Sequence, residues 1–157
     1  MRRMRVAAVC AAAVVTAVGG VAPAAGAPGG PEAELAYHGS ADMIGGRVGV
    51  RFTPHNHGLV AVPESTVRIR WSEPLAERQS LPAGCAPAGE RAVTCRVGAL
   101  EADGVGERLG LRVRLRDAPS EVLLEFDTVG NDGAVAERRR SERQRVLVLD
   151  SGDKYYF

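Results

Sequence analysis

The chain has no surplus of charge. Its 20 basic and 19 acidic residues nearly cancel, whereas a dedicated nucleic-acid binder would show a clear basic excess. It has no apolar run long enough to span a bilayer, which takes ~20 residues. Helical periodicity is weak throughout. The best stretch, from Ala134 to Arg143, has too few apolar positions to bury a face. No nucleophile elbow or oxyanion-hole signature is present. No series of spaced acids accompanies Asp132-Gly133, so calcium is not expected. Cysteine is limited to Cys10, Cys85 and Cys95. Without a second thiol pair nearby, the spacing is poor for zinc. These absences point to a non-enzymatic protein with no cofactor and no metal.

What is present begins with a leader. Arg2, Arg3 and Arg5 form a positive start, and Val6 to Val18 is apolar and rich in Ala and Val. Ala22-Pro23-Ala24 and Ala25-Gly26-Ala27 both fit a small-x-small cleavage pattern. Residues 1–27 therefore read as a secretory signal peptide. Removing it takes away three Arg and no acid, so 17 basic residues face 19 acidic ones, a net charge of −2. Residues 28–33 form a flexible lead-in, 34–150 one domain, and 151–157 a C-terminal tail. The expected location is extracellular, with no membrane span left after processing.

Export places Cys85 and Cys95 in an oxidising compartment, where a disulfide is expected. In the chain-entropy view, closing so short a loop contributes roughly 2.5–3 kcal/mol. Around it the chain alternates apolar and polar residues. Leu35 to Ala41 reads as a short strand, and Gly45-Gly46 breaks the chain. In Arg47 to Pro54, Val48, Val50 and Phe52 share a face. Asn56-His57-Gly58 is turn chemistry. In Thr66 to Trp71, Val67, Ile69 and Trp71 align, and the lone Trp is the expected core anchor. Ala92 to Val97 follows. Glu107 to Arg116 alternates most clearly, with Leu109, Leu111, Val113 and Leu115 inward. Glu121 to Val129 points Val122, Leu124 and Phe126 inward, and Arg145 to Leu149 is the last strand. About seven short strands separated by turns predict an all-β sandwich.

Several motifs together resemble a known pattern. A strand ends in Asn-x-Gly at Asn56 to Gly58. Then come Leu-Pro-x-Gly-Cys at Leu81 to Cys85, Val-Thr-Cys at Val93 to Cys95, and Gly-x-Leu at Gly98 to Leu100. The stretch from Leu35 to Leu149 resembles the Ig-like conserved-repeat domain of unknown function in bacterial secreted and cell-surface proteins. The resemblance implies an Ig-like antiparallel sandwich and brings no catalytic residues. Ser141-Glu142 stand where that family often has paired Asn, and no Leu-Pro-x-Thr-Gly sorting signal is present, so simple secretion is expected.

Four features are candidates for function. His55 and His57 share a face of an extended strand, which suits a metal pair, but no third ligand is evident. His38-Gly39-Ser40 with Asp42 invites a hydrolase reading, without the supporting signatures. Arg138, Arg139 and Arg140 read as a solvated loop. Arg108, Arg112, Arg114 and Arg116 line one strand face. If that strand forms a hairpin with the next, Arg116 meets Glu121 and Arg112 meets Glu125, and the row is neutralised. The resemblance implies opposite sheets instead, leaving the row free to meet an anionic wall component or an extracellular protein. The overall expectation is a structural or interaction module of the extracellular space. The leader generates the first test: intact-mass analysis of secreted protein should place the mature N-terminus between Ala24 and Pro28, and a chain still beginning at Met1 would refute the signal.

Overall fold

The computed structural model describes residues 34–129 and 143–157. The leader, the lead-in, Asn131-Asp132-Gly133, the arginines 138–140 and most of the weakly helical stretch lie outside them. Among the described residues nine strands run β1 (Leu35–Ile44), β2 (Arg47–Asn56), β3 (Ser65–Trp71), β4 (Cys85–Pro87), β5 (Ala92–Val97), β6 (Leu109–Arg114), β7 (Glu121–Val129), β8 (Gln144–Leu149) and β9 (Tyr155–Tyr156). They form two antiparallel sheets, ordered β6-β2-β1-β9 and β4-β5-β3-β7-β8. The chain is an all-β sandwich.

Alternation explains the packing. Tyr37, Ala41, Met43, Val48, Val50 and Phe52 point inward from the first sheet, joined by Leu111 and Val113. Val67, Ile69, Trp71, Val93, Cys95, Leu124, Phe126 and Val148 meet them from the second. All belong to one core. Each Val, Leu, Ile, Phe or Met among them contributes roughly 1.5–3 kcal/mol on burial. Trp71 is fully buried, as its position in the alternation predicts. At one end the aromatics cluster across the sandwich. Tyr37 meets Phe52 edge-on at 5.6 Å and stacks on Phe126 at 5.9 Å. Its hydroxyl lies 2.6 Å from Thr128 Oγ1 on β7, a hydrogen bond between the sheets.

The structure differs from the sequence reading in several places. β2 continues through Pro54 to Asn56, where a proline suggests an end. Tyr37, the register partner of Pro54, sends its N–H to Gln144 Oε1 instead. β6 pairs with β2 only as far as Phe52, so the missing proline N–H costs no ladder bond. The last residues are also no free tail. Tyr155 and Tyr156 pair with Ala41 and Ser40, and Phe157 packs 4.8 Å from Phe126. The domain therefore extends to 157. Finally, the Cys85–Cys95 disulfide is formed, but it does not organise the sandwich. Cys85 sits directly opposite Cys95 in the β4–β5 hairpin, so the bond staples an edge strand and leaves the two sheets unlinked.

Two tests follow from the packing. Val113 is buried and Arg114 exposed, so Val113→Asp should abolish cooperative unfolding by burying an unpaired charge. Arg114→Asp should change stability by less than about 1 kcal/mol. Calorimetry of the pair checks the strand phase, which is wrong if the effects are reversed. Burial pushes the Tyr37 hydroxyl above the ordinary tyrosine range, against the opposing pull of its hydrogen bond with Thr128. Below pH ~10 the residue is neutral both folded and unfolded and its contribution is intact. Above that the unfolded chain loses the proton first, so stability falls as pH rises. Tyr37→Phe should flatten this alkaline loss in denaturant titrations, at a cost of about 1 kcal/mol for the lost bond.

Candidate functional site

The outer face of the four-stranded sheet carries the features of interest. Its frame is the β1–β2 hairpin. Gly45 and Gly46 both have positive φ, at 54° and 70°, and make a two-residue turn. Such turns suit the strand twist and set the pairing that follows. All ten residues of β1 then face ten of β2, from Ile44 opposite Arg47 to Leu35 opposite Asn56.

That register places His38 opposite Thr53 and Ala36 opposite His55. His38 is thus a diagonal neighbour of His55 on the outer face, within reach for long side chains. His57 follows two residues after His55 and points the same way. Its backbone N–H donates to Glu34 O at 2.7 Å, prolonging the ladder by one step. Asn56 between them is fully buried. Its Nδ2 donates to the carbonyls of Val60 and Glu101, and its Oδ1 accepts from the Gly58 N–H. The turn that presents His57 is therefore held by three hydrogen bonds. Gly39, beside His38, sits where a Cβ would fall 2.0 Å from Arg51 O, so the two backbones can approach only with glycine there.

The three imidazoles converge. One ring nitrogen from each lies within 4.8 Å of the others. His38 Nε2 is 3.1 Å from His57 Nε2, and the His55 and His57 rings are 3.8 Å apart. Asp103 Oδ1 stands 3.6 Å from His55 Nε2. The sequence reading identifies the His55–His57 pair but not His38 as their companion. It read Gly45-Gly46 as a break. Taken as a two-residue hairpin turn, the same pair gives the register and with it the third histidine. In the hydrolase reading, Ser40 and Asp42 follow His38 at alternate positions on β1, while the ring of His38 is engaged by His57.

The arginine row lies on the same outer face. β6 and β7 occupy opposite sheets, so the hairpin that would oppose Arg116 to Glu121 and Arg112 to Glu125 is not formed. The linking turn crosses the sandwich, with Arg116 N–H donating to Pro74 O and Asp150 N–H to Ser120 O. β6 pairs instead with β2, whose outer face adds two more arginines. Arg47 stands opposite Arg114, Gly49 opposite Arg112, and Arg51 opposite Gly110. Arg108 and Arg116 flank the strand, and all four arginines of the row are exposed. Asp42 is the one acid at the outward strand positions of this sheet among the described residues. The acids of β7 serve the other sheet, where Glu125 pairs with Arg145 at 2.9 Å and Asp127 with Arg68 and Arg143 at 3.4 Å. A groove runs between the two features, lined by His38, Ser40, Arg51, Arg108, Lys154 and Tyr156 among others. No protein-family model matches the chain, and no curated protein matches it.

Proposed function

We propose that this protein is an exported, non-enzymatic binding module, Ig-like in the sense of the resemblance above, that holds an anionic wall polymer on the outer face of its four-stranded sheet. The observation that carries this reading is the pairing of β6 with β2. It concentrates Arg47, Arg51, Arg112 and Arg114 on one face and leaves the β7 acids on the other. Arg47 directly opposite Arg114 is unfavourable for the fold itself, because like charges opposed across a strand pair destabilise it. An anionic ligand relieves that repulsion. Gly49 and Gly110 alternate with the arginines and leave a depression between Arg51 and Arg112, bordered also by Asp42 and Ser80, into which a narrow polymer can settle with its charges toward the two arginines. The attraction is long-ranged and sensitive to salt, with a screening length of about 10 Å at 0.1 M.

The test is binding of mature protein to purified anionic wall polymer across a salt series. Wild type should bind at low salt and weaken steadily as salt rises. The Arg112→Ala, Arg114→Ala double variant should bind at least about tenfold more weakly at low salt, with a shallower salt dependence. Equal binding by the two proteins, or no dependence on salt, removes the arginine face from consideration.

A further inference from the structure

We propose that His38, His55 and His57 form a binding site for a late first-row divalent cation, Zn2+ or Cu2+, with a fourth position open to solvent. The reading is independent of the arginine face.

His38 and His57 are exposed and His55 is half-buried. Exposed imidazoles are well solvated and gain little by crowding together, yet these three converge from β1, from β2 and from the residue just past its end. The supporting backbone is held rigidly by the β1–β2 ladder and the buried Asn56. Sites built on strands hold their geometry better than sites on loops.

Next comes the geometry a metal needs. Zinc binds imidazole at about 2.0–2.1 Å in a tetrahedron, which puts the nitrogens about 3.3 Å apart. The His38–His57 pair is already at 3.1 Å. The remaining separations, all within 4.8 Å, close by small rotations of two exposed side chains. Three histidines with an open fourth position is a known arrangement for zinc. Imidazole also suits copper, which binds a given nitrogen set more tightly than zinc. The carboxylate of Asp103 beside His55 adds negative charge next to the cluster. It can orient the ring, as groups supporting metal ligands do. Arg51 and Arg108 share the adjoining groove with His38, but Arg51 precedes Thr53 along β2, whereas His55 and His57 follow it. The fourth position is left to water.

The experiment is equilibrium dialysis of chelator-treated mature protein against Zn2+ and, separately, Cu2+, with metal counted by mass spectrometry. One metal per chain should bind. The Cu2+ form should show nitrogen hyperfine splitting in its electron paramagnetic resonance spectrum. His38→Gln, His55→Gln and His57→Gln should each weaken binding by at least about 10–100-fold, the loss that even a supporting group around a metal causes when removed. Circular dichroism without metal should show all three variants folded, since the rings lie outside the core. The Arg112→Ala, Arg114→Ala variant should keep its metal, so failure of the polymer reading and failure of this one are distinguishable. Less than one metal per chain at about 100 µM free ion, a weak affinity on the scale of specific sites, overturns the proposal. So does a bound metal that survives His38→Gln.

Discussion

The register of the β1–β2 hairpin is the constraint on which the rest of the structure depends. A slip of one residue would turn every side chain of one strand to the opposite face. Tyr37 and Met43 would leave the core, and His38 would enter it. β2 also carries β6 on its far edge, and β1 carries β9 on its own. The hairpin therefore sets the position of the whole four-stranded sheet. Two glycines with positive φ begin that register, and the aromatic cluster of Tyr37, Phe52, Phe126 and Phe157 holds its far end.

The two outer faces have different electrostatic character. On the five-stranded sheet, acids and arginines alternate across neighbouring strands and form ion pairs. These half-buried pairs leave the face near neutrality. On the four-stranded sheet the arginines stand beside glycines and beside one another. A nearly neutral chain thus carries an outer sheet face on which arginines outnumber acids. Bulk composition argues only against a dedicated nucleic-acid binder, and the segregation of the arginines keeps the case for an anionic polymer.

Much of the fold was legible because alternation is a local property. Val67, Ile69 and Trp71, or Leu111 and Val113, reveal their inward face without reference to any other strand. The disulfide follows from the expectation of export and of two cysteines remaining after the expected leader. What was not legible is pairing between distant segments. Nothing in Glu107 to Arg116 says whether it pairs with the strand that follows or with β2, some sixty residues earlier. The histidine site suffered for the same reason, because its third member comes from a second strand. β9 was missed because two residues carry no periodicity. Its place is dictated by reciprocal backbone hydrogen bonds between Gly39 and Phe157, which no side-chain pattern announces.

The stapled hairpin also bears on how the domain behaves among its own copies. An unprotected edge strand is a template for adding further strands, and so for aggregation. β4 is only three residues long and ends in Pro87, which has no N–H to offer a newcomer. Its bond to Cys95 keeps it from peeling away and uncovering the longer β5 beneath it. At that edge the disulfide acts as a guard against association. Reducing it should release sticky, strand-adding behaviour before the core itself gives way.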